Sequence, residues 1–187
     1  MSTSMGVAIA THEELATAVG GETGEARAAI MIVSGDPGAR GSLHRELSKR
    51  YGADYQIVAC GRPGQLAPWM RDLRAAGLPV ALVIAGVGER DRDGIEALAA
   101  VRAIDPRALR VAAVGWGDWA SRRSVFDAVT VGKVDHWVIR PEQTPAEEFH
   151  RSITDFLREW GSQRLDAIPV PLTDPGNDQR HRQASGP

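Results

Sequence analysis

The chain has 187 residues, of which 43% are hydrophobic and 25% charged, and its formal net charge is −2. This balance is typical of a folded globular protein, and the length suits one domain with some chain to spare. The small charge argues against binding nucleic acid through bulk positive charge, and the single cysteine, Cys60, excludes a disulfide within the chain. No stretch reaches the roughly 18 apolar residues of a membrane span, and the first residues lack the pattern of a signal peptide, so we expect a cytoplasmic protein.

The two ends of the chain differ in composition from its middle. Residues 1–27 are small and polar and read as a mobile arm, although Thr11 and Glu14 have capping-box spacing and favour a short helix there. Residues 161–187 are rich in proline, glycine and glutamine, a composition that buries little. We therefore predict an arm over 1–27, one folded domain over 28–160, and a disordered tail or linker over 161–187.

Within 28–160, short apolar runs alternate with amphipathic stretches. In chain order the predicted elements are strand Ala29–Val33, helix Leu43–Tyr51, strand Tyr55–Cys60, helix Gly64–Leu73, strand Val80–Ala85, helix Ile95–Arg102, strand Leu109–Val114, helix Ser121–Val129, strand His136–Ile139 and helix Pro145–Trp160. The strands are apolar throughout, as in a parallel sheet whose two faces are both buried. The pattern predicts an α/β fold with a doubly wound, five-stranded parallel sheet, whose functional site lies at the carboxyl ends of the strands.

Four segments at or near these strand ends resemble the CheY-like receiver domain of two-component signalling. They are IVSGDP (32–37), ALVIAG (81–86), DGIEAL (93–98) and DHWVIRP (135–141). Through YGADYQIV (51–58), the chain is more similar still to receivers fused ahead of a thioredoxin-reductase-like flavoprotein. The resemblance implies a flavodoxin/CheY-like (βα)5 fold and a regulatory role in signal transduction without enzymatic activity. It also makes such a flavoprotein a candidate partner.

The resemblance also shows where the chain departs from a working receiver. Such a domain holds Mg²⁺ with an acidic pair after the first strand and accepts a phosphoryl group on an aspartate after the third. Here the acidic-pair positions are Ser34 and Gly35, with Asp36 one place too late, and the acceptor position is Gly86. Glycine has no side chain to phosphorylate. We therefore expect a pseudo-receiver that works independently of phosphorylation and holds neither metal nor cofactor.

Two further positions of the phosphorylation site have changed. Val114 stands where a receiver has a hydroxyl after the fourth strand, and Arg140 replaces the lysine of the fifth strand. Arginine keeps the charge but presents a planar fork instead of a point charge. Phosphorylation at Glu89, Asp91 or Asp93 is an alternative. We expect these three carboxylates to form a solvated acidic loop instead, with the third helix beginning at Asp93.

A cluster of tryptophan and arginine residues follows the fourth predicted strand. Trp137 has the position of the receiver's aromatic switch residue, Trp116 and Trp119 lie in the adjoining loop, and Arg122 and Arg123 lie on the next helix. Both residue types are favoured at the centres of interfaces. We predict a protein-interaction face of the fourth helix, fifth strand and fifth helix, for a homodimer or another protein. The alternative is that the rings fill a core left roomy by neighbouring glycines.

A second functional hypothesis starts from glycines around the former phosphorylation site. Gly86, Gly88, Gly115 and Gly117 remove side chains from a pocket that retains Arg140, where a small anionic ligand could bind. Glycine drift after loss of phosphorylation is the alternative explanation. A flavodoxin-like or nucleotide-binding enzyme is a third reading, but the sequence has no phosphate loop or catalytic pair to support it.

Overall fold

Strands and helices alternate along residues 28–141 and 146–166, the part of the chain that the computed structural model describes. The elements are β1 (Ala29–Val33), α1 (Pro37–Tyr51), β2 (Gln56–Cys60), α2 (Pro63–Ala75), β3 (Val80–Val87), α3 (Gly94–Ile104), β4 (Leu109–Val114), α4 (Trp119–Thr130), β5 (His136–Ile139) and α5 (Glu147–Asp166). All five predicted strands and all five predicted helices are present, with ends that differ by a few residues. None of the helices described is long and apolar enough to cross a membrane.

The five strands form one parallel sheet in the order β2-β1-β3-β4-β5. Val33, the last residue of β1, pairs with Cys60 of β2 on one side and with Ala85 of β3 on the other. The chain order reverses between β1 and β3, so the crevice for a functional site opens at their carboxyl ends. The predicted fold class, a doubly wound five-stranded sheet of the flavodoxin/CheY-like type, is confirmed.

The core consists of two apolar clusters, one on each face of the sheet. Met31 and Val33 of β1 belong to the cluster under α2, α3 and α4, whereas Ile30 and Ile32 belong to the cluster under α1 and α5. All four side chains are essentially inaccessible to solvent. Helices on both faces explain why the strands are apolar without alternation, because neither face of a central strand meets water.

Helix α5 is longer than the sequence analysis predicts. It continues past Trp160 to Asp166, with the Ser162 hydroxyl donating to the Arg158 carbonyl (3.0 Å) and the Arg164 guanidinium 4.9 Å from the Trp160 ring. The predicted start of a disordered tail at 161 is therefore wrong for residues 161–166, because no proline lies among them to end the helix. The predicted arm (1–27) and the rest of the tail (167–187) lie outside the described residues.

The buried side chain of Arg110 links β4 to the loop between α4 and β5. The Arg110 guanidinium donates to both carboxylate oxygens of Asp135 (2.5 and 2.9 Å) and to the carbonyls of Gly132 (2.9 Å) and Lys133 (3.3 Å). The backbone amide of Arg110 also donates to Asp135 (2.8 Å). Each charged group is thus well hydrogen-bonded, and the pair fixes the approach to β5 and so the position of Trp137.

We expect Asp135→Ala to lower the free energy of unfolding by about 2 kcal/mol, because it leaves the buried Arg110 guanidinium without its carboxylate. Glu96→Ala is the matched control: it breaks the exposed Glu96–Lys133 ion pair (2.7 Å) and should cost less than about 1 kcal/mol. Urea denaturation of both variants measures the difference. Equal losses would show that the Arg110–Asp135 pair does not stabilise the fold.

Candidate functional site

The carboxyl ends of β1 and β3 bring two predicted site positions together. Ser34 follows β1 and is buried, and Gly86 is the residue before the last in β3. A Cβ built on Gly86 would lie 3.1 Å from the Ser34 hydroxyl oxygen. Positions 34 and 86, which the sequence analysis compared with the metal-ligand and acceptor positions of a receiver, therefore face one another at the carboxyl ends of β1 and β3.

The space beside Gly86 is filled by the carboxylate of Asp91. A Cβ on Gly86 would lie only 2.8 Å from the Asp91 Cγ and nearer still to Oδ2, closer than atoms of a real side chain approach. Asp91 is 8% exposed. Asp91 lies in the connection between β3 and α3. Its carboxylate thus occupies the place that the side chain of an aspartate at position 86 would take.

Both oxygens of the Asp91 carboxylate have hydrogen-bond donors. The Gly35 amide donates to Oδ1 (2.5 Å) and the Ser34 hydroxyl donates to Oδ2 (2.9 Å). The Ser34 hydroxyl has one proton and two acceptors within reach. It donates to the carboxylate of Asp91, which is charged and nearer, in preference to the Asp36 carbonyl at 3.2 Å. Its oxygen is then free to accept from the Asp36 amide (3.2 Å). These hydrogen bonds offset the cost of burying the charge.

A tight turn between β3 and α3 carries Asp91 into this position. The Asp91 amide donates to the Gly88 carbonyl (3.0 Å), and the Gly94 amide donates to the Asp91 carbonyl (3.1 Å). Gly94 has to be glycine, because a Cβ there would collide with the carbonyl oxygen of Gly86. Helix α3 can therefore begin directly against the end of β3, as predicted from Asp93.

The predicted solvated acidic loop is wrong for one of its three carboxylates. Glu89 and Asp93 are exposed, but Asp91 is buried. Sequence reasoning missed this because a lone aspartate between charged neighbours has the composition of a surface loop. The only available signal was Gly86, whose missing side chain leaves room for another.

Asp36 is committed to the start of α1. Its carboxylate accepts from the amides of Gly38 (2.9 Å) and Ala39 (3.3 Å), and Arg90 lies 3.4 Å away. Burial alone would raise the pKa of Asp36, but the two amide hydrogen bonds, together with the charges of Arg90 and Arg140, outweigh it and hold the pKa below its ordinary value. The aspartate one place too late therefore serves as a helix cap.

Val114 and Arg140 lie at the carboxyl ends of β4 and β5, as predicted. Val114 is fully buried at the end of β4, and the Arg140 amide donates to its carbonyl (2.8 Å). Asp118, which the sequence analysis did not single out, caps α4 by accepting from the Ser121 amide (3.0 Å). Hydrogen bonds from Ser121 lower the pKa of Asp118 most, against a slight effect of burial, and Arg140 lowers it further.

Metal binding has no support at this edge. Among residues 28–141 and 146–166, no group of three or more His, Cys, Asp or Glu side chains is arranged to hold an ion. Cys60 ends β2 and is buried, and burial raises the pKa of its thiol to about 11 despite the nearby charge of Arg40. The thiol is therefore protonated at neutral pH and is a poor nucleophile.

A second feature is a group of exposed aromatic side chains after the carboxyl end of β4. Trp116 and Trp119 are 74% and 73% exposed, and Phe126 is 55% exposed. The alternative that these tryptophans fill the core is therefore wrong for Trp116 and Trp119. Trp137 alone packs partly against the core. Phe126 was missed by the sequence analysis, although its spacing of seven from Trp119 places both on one side of a helix.

Arg122 connects the rings of this group. Its guanidinium carbon lies 4.5 Å from the centre of the Trp119 ring and 5.8 Å from that of Trp137. Phe126 meets Trp137 edge to face, with 5.7 Å between ring centres. We call Trp116, Trp119, Arg122, Phe126 and Trp137 the aromatic face. Arg123, the other predicted interface arginine, is exposed on the same helix.

No protein-family model and no curated protein matches this sequence. Solved structures do match it. The signal receiver domain of an HD domain-containing protein from Pseudomonas fluorescens Pf-5 has a TM-score of 0.56 and 19% identity, over 77% of this chain and 96% of that one. A CheY-like response regulator receiver domain protein from Methanospirillum hungatei JF-1 has a TM-score of 0.54 and 14% identity, over 73% and 98%.

A third similar structure is that of an adenylate cyclase from Rhodopirellula baltica, with a TM-score of 0.59 and 16% identity, over 75% of this chain and 94% of that one. At these identities the similarity concerns the fold. The predicted CheY-like receiver fold is confirmed, and neither the degenerate site nor the flavoprotein connection is tested by these structures.

We expect Gly86→Ala to lower the free energy of unfolding by about 2 kcal/mol, because its Cβ would overlap the Asp91 carboxylate. In an Asp91→Gly background the same substitution should cost at least about 1 kcal/mol less, since the overlap is gone. Gly161→Ala is the control: its Cβ would meet nothing within 4 Å and should be neutral or stabilising. Urea denaturation of all four Gly86/Asp91 combinations gives the coupling, and additive losses would contradict the overlap.

Proposed function

We propose that this chain is a receiver-like module of signal transduction that acts by binding another protein, independently of phosphorylation and without enzymatic activity of its own. The observation that carries the proposal is the Asp91 carboxylate in the place of the acceptor side chain. Gly86 has no group to phosphorylate, and its space is already occupied. A cytoplasmic location is part of the same proposal.

Asp91 is poorly placed to take over as the acceptor. Transfer of a phosphoryl group needs a carboxylate oxygen accessible to the donor and cations to neutralise the transferring group. Asp91 is almost fully buried, and each of its oxygens already accepts a hydrogen bond. Asp36 caps α1 instead of pairing with a second acid, and Val114 has no hydroxyl. The geometry therefore favours a site that does not accept a phosphoryl group.

We expect no phosphoryl group on this chain after incubation with acetyl phosphate and Mg²⁺. Intact-mass spectrometry measures the product, and a conventional receiver in the same mixture serves as the positive control. Because Gly86 has no side chain and Asp91 is buried, wild type and Asp91→Asn should both stay unmodified. An acyl phosphate on wild type that Asp91→Asn abolishes would contradict the proposal and identify Asp91 as the acceptor.

The aromatic face supports binding to a protein. Clustered, exposed apolar side chains mark interaction sites, and tryptophan and arginine contribute disproportionately at the centres of interfaces. The stacking of Arg122 on Trp119 and Trp137 holds these groups in a defined arrangement before a partner arrives, which lowers the entropic cost of binding. The partners we propose are a second copy of the chain and, from the resemblance in sequence, a thioredoxin-reductase-like flavoprotein.

We expect Trp116→Ala/Trp119→Ala to weaken association at least 10-fold, because truncating exposed indoles removes contact area from the interface. Sedimentation velocity of the full chain, alone and with a purified thioredoxin-reductase-like flavoprotein, measures association. The thermal midpoint should hardly change, since both rings are exposed. Val131→Ala is the control, as Val131 is exposed just after α4 but outside the aromatic face. Equal association by wild type and the double variant would exclude this face as the interface.

A small anionic ligand at the former phosphorylation site is the second candidate function. Ser34 and Gly35 direct two hydrogen-bond donors into that site, which favours an anion. The site is not empty, however, so such a ligand would have to displace Asp91.

A further inference from the structure

We propose that Ser34 and Gly35 form a carboxylate-binding site and that Asp91 is its tethered, displaceable occupant. The inference rests on the second candidate function, the small anionic ligand, and names its chemical class. It is independent of the protein-binding function, because it holds whether or not the aromatic face binds a partner. It concerns the carboxyl ends of β1 and β3, and it states which chemical group binds there, a carboxylate.

The two donors match the two oxygens of one carboxylate. Adjacent residues supply one N–H and one O–H, at 2.5 Å and 2.9 Å from different oxygens of Asp91. Two parallel donors of this kind select an acceptor with two oxygens on one carbon, and hydrogen bonds to an ionised acceptor are roughly twice as strong as neutral ones. The chemistry of the site is therefore that of a receptor for a carboxylate.

The donors are positioned without help from Asp91. The Ser34 amide donates to the Cys60 carbonyl of β2 (3.2 Å), and the Arg40 guanidinium donates to the Ser34 carbonyl (2.6 Å). The Ser34 hydroxyl also accepts from the Asp36 amide at the start of α1 (3.2 Å). The site thus involves β1, β2 and α1. Without the Asp91 side chain the Gly35 amide would lose its acceptor, and the Ser34 hydroxyl would have only the more distant Asp36 carbonyl (3.2 Å).

Charge around the site favours an anion. Arg40 is buried, and its guanidinium donates to the carbonyl of Ser34 (2.6 Å). Arg90 and Arg140 lower the pKa of the neighbouring Asp36, so their positive charge reaches the same edge.

The tether explains why the site is occupied by its own chain. Asp91 sits on the turn closed by its hydrogen bond to Gly88, and the residues beside it, Arg90 and Arg92, are exposed. A group held on such a short connection competes at an effective concentration in the millimolar range or above. A free carboxylate therefore displaces Asp91 only at high concentration or when further contacts add to its affinity, and displacement would open the turn beside α3.

Substitution of Asp91 by glycine tests the inference, because acetate carries the methylene and carboxylate that the substitution removes. With ionic strength held constant by chloride, acetate should raise the thermal midpoint of Asp91→Gly in a saturable manner, with an apparent affinity at least 10-fold higher than for wild type. In Asp91→Ala, whose cavity is smaller, formate should act in the same way. Acetamide, the neutral analogue, should have little effect on either variant.

Ser34→Ala/Asp91→Gly identifies the donor. Removing the hydroxyl should weaken the response to acetate at least 10-fold, and hydrogen exchange of the Gly35 amide should slow in acetate only when Asp91 is absent. If Asp91→Gly is unfolded in chloride, recovery of its circular dichroism in acetate counts as the expected response. Equal responses in wild type and all variants, or none in either Asp91→Gly or Asp91→Ala, would overturn the proposal, and neither readout depends on partner binding or phosphotransfer.

Discussion

A carboxylate can be buried only where each of its oxygens finds a donor, and this requirement organises the edge of the sheet around Asp91. The Ser34 hydroxyl and Gly35 amide meet it. Gly86 is restricted to glycine because the Asp91 carboxylate fills the space of its side chain. Gly94 is restricted to glycine because α3 begins against the end of β3. The ends of two strands, one turn and one helix are thus held by a single charged group.

The carboxyl ends of β1 and β3 and the aromatic face differ in how their polar and apolar groups are satisfied. The edge formed by β1 and β3 has its hydrogen bonds satisfied internally and has no accessible acceptor, whereas the aromatic face on α4 and β5 is exposed and already ordered by Arg122. The Arg110–Asp135 pair positions β5 from the opposite end of the sheet. The exposed aromatic side chains are therefore accessible in the conformation that the structure describes.

The sequence predicted the fold well because burial on both faces of a sheet leaves uninterrupted apolar runs, as in Ile30–Val33 and Val80–Ala85. It also singled out Gly86 and Val114, which the structure places at the carboxyl ends of the neighbouring strands β3 and β4. It could not place Asp91, because that contact depends on a turn whose geometry leaves no periodic signal. Nor could composition distinguish a tryptophan in the core from one in solvent, so the exposure of Trp116 and Trp119 required the structure.

The exchange of a side chain between positions 86 and 91 also bears on how this domain can evolve. An aspartate introduced at 86 would meet the carboxylate already there, and loss of Asp91 on its own would remove the carboxylate that the Ser34 hydroxyl and the Gly35 amide bind. Each single change is therefore expected to destabilise the fold, whereas a paired change at 86 and 91 avoids both costs. The residue at each of these positions thus restricts which residue the other can accept.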